Sequence, residues 1–171
     1  MDKKTLFLTA VFVGLFYAVL KNKNQINEGI EMAADYTKNL RRGERINNPL
    51  NIEKGENWVG LAAEQPDDRF AAFISPEYGI RAFVRILNTY MNKHGLKTLR
   101  QIVNRYAPPS ENNTASYIGF VSKVTGIKPD APLSFNEPTL TKLATAFINM
   151  EQGRVIYPPE TIQRGVKLGM G

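Results

Sequence analysis

Apolar residues recur at helical spacing through most of the second half of the chain. Ser75 and Pro76 are typical of a helix start, and Gly95 is typical of a helix end. Between them the apolar positions lie three or four residues apart, at Ile80, Phe83, Val84, Leu87 and Met91. Similar patterns predict further helices at about 97–106, 114–125, 138–150 and 159–168. This part of the chain is therefore predicted to be a helical domain.

The segment that precedes these helices has a shorter, more extended pattern. NNPLNI at 47–52 has the composition of a turn, and GENWVG at 55–60 that of a loop tip. RFAAFI at 69–74 predicts a short strand. The predicted fold class is thus mainly α with a small β excursion, over a domain at 45–171.

The first 24 residues predict a membrane anchor. The run from Thr5 to Leu20 carries no charge, and as a helix it would span about 24 Å, against roughly 30 Å for a hydrocarbon core. Lysines on both sides can reach the interfaces. A cleaved signal peptide is the alternative, although no A-x-A site precedes Lys21. We expect one transmembrane helix, a lipid membrane as partner, and a single-pass location in a virion membrane or host envelope.

Residues 25–44 predict a polar helical stalk. Their apolar positions, among them Ile26 and Ile30, form too thin a face for a core.

Composition excludes several kinds of site. The chain has no cysteine and a single histidine, His94, which argues against a zinc centre or a thiolate nucleophile. Much of the net charge of +6 belongs to lysines that flank the apolar run. The remaining positive charge is too diffuse for a nucleic-acid interface. We expect no metal, no cofactor and no nucleic-acid partner.

Glu151 is the leading candidate for a catalytic acid. It directly follows a buried helical stripe at Leu140, Leu143, Ala144, Phe147 and Ile148. Carboxyl groups in partly apolar settings are common general acids at neutral pH. The competing interpretation is a solvated glutamate before a Gly153 helix end.

Three segments resemble parts of lysozyme-like transglycosylases. AFINMEQG, which contains Glu151, is similar to the element that carries the catalytic glutamate in that family. ENNTASYIGFV looks like a looser form of its E-T-x-x-Y-V helix start, and NNPLNI is a counterpart of its cleft wall. N-P-x-N-I, W-x-G and F-x-x-F-x-S-P-E-x-G-I-R-A also resemble segments of small phage virion proteins assigned to peptidoglycan hydrolysis. The resemblance runs from about Arg45 to Gly165.

The order of these segments departs from that family, because here the glutamate helix comes last. Either the fold is circularly permuted or the acid lies elsewhere. Glu44, shortly before the NNPLNI turn, and Glu28 are the alternatives.

The resemblance implies a lytic transglycosylase or muramidase that acts on the bond between N-acetylmuramic acid and N-acetylglucosamine. A muramidase would need a second acid, for which Asp67, Asp68 and Glu111 are candidates. Aromatic faces and amides bind sugars, although such residues are also common in cores and turns. The candidate substrate-binding residues are Asn48, Asn51, Trp58, Tyr106, Glu111, Asn112 and Tyr117.

The predicted function is therefore peptidoglycan cleavage by a phage structural component that aids cell-wall penetration, with other virion proteins as further partners. The alternative is a non-catalytic structural or cell-wall-binding virion protein that keeps the fold.

Overall fold

The structure, a computed structural model, describes residues 21–32 and 40–171. The chain divides into two compact units, one ending at Leu40 and the other running from Arg41 to Gly171. In the first unit residues 21–32 are helical and exposed throughout. The second unit contains the core and the candidate site.

The predicted fold class requires a correction at its N-terminal part. Within the described ranges none of the helices has both the length and the apolar character needed to cross a membrane. The predicted transmembrane helix is therefore not supported. The apolar run at 5–20 that suggested it lies outside the described residues. For the described residues the fold class is mainly helical with few extended pairings.

Six α-helices and one π-helical turn make up the regular structure of the second unit. They are α1 (Arg42–Arg45), α2 (Pro76–Asn88), the π turn (Thr89–Lys93), α3 (Leu99–Tyr106), α4 (Thr114–Thr125), α5 (Glu137–Gln152) and α6 (Pro159–Met170). The helices predicted after residue 95 are confirmed, with ends that move by at most two residues.

Helix α2 begins at Pro76 as predicted, but Ser75 does not cap it. The Ser75 hydroxyl instead donates to the Glu77 carboxylate at 2.7 Å. The helix then widens into the π turn, and it stops before Gly95, which has a φ of 67°. A left-handed residue of this kind ends a helix because it turns the chain away from the helical path.

The segment at 69–74 pairs only through isolated antiparallel bridges, so the predicted strand is wrong in detail. Phe70 pairs with Glu53 and Phe73 pairs with Leu61. Between them, the Gln65 side chain donates to the Ala72 carbonyl at 2.9 Å and accepts its N–H at 2.8 Å. A side-chain amide thus occupies the place that a neighbouring strand would take.

The core lies between α2, α5 and α6. Phe83 of α2 and Phe147 of α5 are fully buried, with ring centroids 5.0 Å apart. Helix α6 lies against α2 through Gly165 and Gly169, where a methyl group would collide with Ile80 or Val84. This close packing fixes α5, the helix that carries Glu151.

Candidate active site

Glu151 lies in the last turn of α5 with a partly exposed side chain. One carboxylate oxygen accepts from the Asn51 side-chain amide at 2.7 Å, and the other accepts from the Tyr117 hydroxyl at 2.8 Å. The donors come from segments 100 and 34 residues away in the chain. Two donors that are distant in sequence thus fix the orientation of one carboxylate.

The Asn-Pro-Leu-Asn turn brings Asn51 to this position. Asn47 and Asn51 both have left-handed backbone conformations, with φ of 52° and 49°. Asparagine tolerates this conformation better than most residues. The Asn47 amide also donates to the Phe73 carbonyl at 3.0 Å, which ties the turn to the domain.

Asn48 supports the turn from beneath. It is fully buried, and its amide donates to the carbonyls of Ile52 at 2.8 Å and Ala71 at 2.7 Å. Its side-chain oxygen accepts the Ile52 N–H at 2.9 Å. Because its polar atoms are used internally, Asn48 holds the loop and is not exposed to a ligand, contrary to the substrate-binding role predicted from the sequence.

An aromatic cluster of Tyr106, Tyr117 and Phe147 holds Tyr117, the second donor to Glu151. The Phe147 ring lies 5.1 Å from both the Tyr106 and Tyr117 ring centroids. Tyr106 donates its hydroxyl to the Leu50 carbonyl, next to Asn51. Burial, together with the nearby negative charge of Glu151, raises the pKa of both tyrosines far above its ordinary value. Both hydroxyls therefore stay protonated and act as hydrogen-bond donors.

A groove with a volume of about 930 Å³ opens at Glu151. Most of the predicted site residues line it, namely Asn51, Trp58, Tyr106, Glu111, Asn112 and Glu151. Tyr117 is buried and reaches Glu151 from the core. The structure thus brings Glu151 together with all of the predicted substrate-binding residues except the buried Asn48.

Sequence reasoning missed a set of charged and aromatic groove residues. They are Glu53, Lys54, Glu56, Arg69, Arg85, Tyr90, Lys93 and Arg105. Arg85, Thr89 and Lys93 lie four residues apart, which places them on one helix face. That spacing is the signal for these residues in the sequence, where the apolar stripe of the same helix is the more prominent pattern.

The groove contains polar groups in different states of pairing. Arg69 forms ion pairs with Glu53 at 2.5 Å and Glu111 at 3.4 Å. The Asn112 amide donates to the Pro108 carbonyl at 3.5 Å. The buried indole N–H of Trp58 has no hydrogen-bond partner in the described part of the chain.

The alternative acids occupy other positions. Glu44 forms an ion pair with Arg154 at 3.1 Å and accepts the Arg41 N–H at 3.0 Å, and it does not line the groove. These contacts tie α1 to the segment after α5. Glu28 is exposed in the first unit.

The candidate second acids at 67 and 68 also lie outside the groove lining. Asp67 accepts backbone N–H groups from Phe70 at 2.8 Å and Arg69 at 3.0 Å. These bonds, chiefly that from Phe70, lower the pKa of Asp67 below its ordinary value. Asp67 therefore acts as a turn-stabilising carboxylate. Asp68 is exposed.

Within residues 21–32 and 40–171, no group of three or more histidine or acidic side chains is placed to hold a metal ion. The chemistry that the groove residues offer is that of a carboxyl group, phenols, amides and cations.

Comparison with known proteins finds one informative relative. No family model matches the chain. The chain is 39% identical over 145 residues to Protein P5 of Pseudoalteromonas phage PM2. The match covers 82% of this chain and 89% of that protein.

Proposed function

The chain belongs to the family of Protein P5 from Pseudoalteromonas phage PM2, and on this premise we propose that it cleaves the glycan strands of peptidoglycan with Glu151 as its catalytic acid. The observation that carries the proposal is the Glu151 carboxylate at the groove, held at 2.7 and 2.8 Å by Asn51 and Tyr117. The resemblance to lysozyme-like transglycosylases supports the substrate class, and the relative from phage PM2 supports a phage protein.

The carboxyl group retains the capacity for proton transfer in this geometry. A carboxylate oxygen has two lone pairs, and each oxygen of Glu151 uses one of them for a protein hydrogen bond. A proton on a remaining lone pair can pass to the glycosidic oxygen of a strand in the groove. Asn51 and Tyr117 orient the group during this step, which limits the reorganisation that the reaction requires.

The same carboxylate completes the reaction. Once the bond to the leaving N-acetylglucosamine breaks, the substrate's N-acetyl group stabilises the cationic muramic carbon. Ionised Glu151 then takes the proton of the muramic O6 hydroxyl, whose oxygen bonds to that carbon and closes a 1,6-anhydro ring. The proton that Glu151 donated is thus restored to it.

Besides Glu151, the groove is lined by three carboxylates, those of Glu53, Glu56 and Glu111. The pairing of two of them favours this single-carboxylate scheme. Glu53 and Glu111 are both bound to Arg69, and the candidate second acids Asp67 and Asp68 do not line the groove. A two-carboxylate hydrolase needs a second acid opposite the first at a defined separation. We therefore favour a lytic transglycosylase over a muramidase.

Wall binding without cleavage is the second candidate function. Both oxygens of Glu151 already accept hydrogen bonds, as those of a purely structural carboxylate do. In that case the aromatic and amide groups of the groove would hold the strand unchanged.

A zymogram with purified peptidoglycan and the full chain separates the two candidates. The wild type is expected to produce a clearing band, and Glu151→Gln is expected to lose it because glutamine cannot donate the proton. Glu44→Gln is the matched control, since that side chain pairs with Arg154 outside the groove lining. Retention of the chain on insoluble peptidoglycan without any clearing would establish the binding function and reject the enzyme.

A further inference from the structure

One side of the groove carries positive charge without acidic partners. Arg85 of α2, Lys93 of the π turn and Arg105 of α3 all line it. Among the described residues these three side chains form no ion pair, whereas Arg69 pairs with two glutamates. We refer to Arg85, Lys93 and Arg105 as the cationic wall.

Tyr90 holds one member of this wall in place. The Arg105 guanidinium lies 5.2 Å from the centroid of the Tyr90 ring and also contributes a hydrogen bond to that side chain. A guanidinium stacked on an aromatic face keeps most of its N–H donors free, and its planar fork matches a carboxylate. Arg105 is thus a positioned donor and not merely a solvated surface charge.

An unbalanced set of cations beside a binding groove favours an anionic ligand group, because it raises the local concentration of negative charge. The sugar rings of peptidoglycan are neutral. Its negative charge lies on the carboxylates of the peptide attached to each muramic acid. A glycan strand without such peptides offers the cationic wall fewer carboxylates, because each muramic acid then keeps only the carboxylate of its lactyl group.

We propose that the cationic wall binds the carboxylates of the muramyl peptide, so that the substrate is a glycan strand that still carries its peptides. This inference rests on the proposed function, and it adds that Glu151 acts next to a peptide-bearing muramic acid. Arg105 and Arg85 would bind carboxylates through paired N–H donors, and Lys93 would act as a point charge.

A binding measurement tests this inference independently of cleavage. The full chain with Glu151→Gln is titrated with soluble peptide-bearing glycan strands and with strands from which an amidase has removed the peptides. Peptide-bearing strands are expected to bind about tenfold more tightly, a difference of about 1.4 kcal/mol. The combined change Arg85→Gln, Lys93→Gln and Arg105→Gln is expected to abolish the difference in affinity between the two kinds of strand.

A second triple variant provides the control for net charge. Lys123→Gln, Lys128→Gln and Lys142→Gln removes three exposed cations that do not line the groove. It is expected to keep the preference for peptide-bearing strands.

Three results would overturn the inference, and they are distinguishable. Equal binding of both strands by the unaltered groove would reject the peptide site and leave the proposed function standing. Equal competition by a glycerol-phosphate polymer of matched charge would show a general anion surface. No binding to either strand would reject the proposed function itself.

Discussion

Some features of the Glu151 site can be recognised in the sequence, and others cannot. The place of Glu151 at the end of an apolar stripe is visible in the sequence, and so is a tyrosine near the start of α4. Its bond to Asn51 is not visible, because it depends on two asparagines with positive φ in a turn 100 residues away. The sequence thus indicated Glu151 as the candidate acid, but not the hydrogen bonds from Asn51 and Tyr117 that orient its carboxylate.

The Tyr117 hydroxyl should matter for the rate and little for stability. Tyr117→Phe removes its 2.8 Å bond to Glu151 but keeps the ring against Phe147. A hydrogen bond to a charged group contributes about 1.5–3 kcal/mol, so cleavage should slow by about 10- to 100-fold. Initial rates of muropeptide release measure this effect, and the melting temperature serves as the folding check.

Tyr78→Phe is the matched control for this change, because Tyr78 does not line the groove. Its cleavage rate should equal that of the wild type. A Tyr117→Phe protein that cleaves at the wild-type rate would show that the tyrosine does not position the acid.

Asn48 should matter for stability, in contrast to the sugar-binding role that its sequence context suggested. Asn48→Ala leaves the Ala71 carbonyl and the Ile52 N–H without their partner, while the Ile52 carbonyl keeps its bond from the Ala71 N–H. Buried groups that lose a hydrogen bond cost about 1–3 kcal/mol each, so we expect a loss of about 3 kcal/mol in the free energy of unfolding. Urea denaturation measures this loss, and an unchanged midpoint would contradict the structural role.

At the scale of elements, α5 joins the core to the candidate chemistry. Phe147 and Glu151 are one helical turn apart on α5. The ring that packs against Tyr106 and Tyr117 therefore lies one turn before the candidate acid, on the same face of the helix. The packing of α2 against α5 and α6 holds this helix. The boundaries of these elements were predictable because helical periodicity and capping residues encode them locally.

The structure of residues 46–74 was predicted less well, because its hydrogen bonds do not follow a regular pattern along the chain. Its backbone groups form scattered hydrogen bonds with one another and with the side-chain amides of Asn48 and Gln65, and they do not form a continuous ladder between strands. Periodicity predicts ladders and helices, and it contains no information about which amide will reach which carbonyl. The composition of the segment therefore indicated a turn but not its anchoring.

The close contact of α6 with α2 is testable with alanine at two glycines. Gly165→Ala places a methyl group against Ile80, and overpacking of this kind costs about 1–3 kcal/mol. Gly119→Ala in α4 meets open space, and replacing a helical glycine there should stabilise the fold by up to about 1 kcal/mol. Thermal melting should therefore shift in opposite directions for the two variants, and a shift in the same direction would contradict the packing described.

At the scale of the whole molecule, the groove combines segments that are far apart in the chain. The turn at 47–52, the end of α2, the connection after α3 and the end of α5 each contribute residues to its lining. Such convergence depends on the tertiary fold, which explains why a single motif could indicate a candidate acid but no motif indicated the cationic wall. The local indication of the cationic wall is the spacing of Arg85, Thr89 and Lys93, which follow one another at intervals of four residues.

The stability of the whole domain should fall in acid. Partial burial alone would raise the pKa of Glu77, but hydrogen bonds from Ser75 and Arg164 outweigh it and hold the pKa below its ordinary value of 4.5. A carboxyl group whose pKa is lowered on folding stabilises the native state above its unfolded pKa, and this contribution is lost as pH falls through the folded value.

We therefore expect the melting temperature to decline as pH falls below 4.5, with a smaller decline in Glu77→Gln. Glu160→Gln, an exposed position at the start of α6, is the control and should decline like the wild type. An equal decline in all three proteins would show that the bonds of Glu77 to Ser75 and Arg164 make no contribution.

The central claim is that one carboxyl group, that of Glu151, first donates and then accepts the proton in glycan cleavage. Mass spectrometry of the muropeptides released from purified peptidoglycan by the full chain tests this most directly. The wild type is expected to release fragments that end in 1,6-anhydro-muramic acid, and Glu151→Gln is expected to release none. Fragments with hydrated muramic ends, or anhydro fragments from Glu151→Gln, would contradict it.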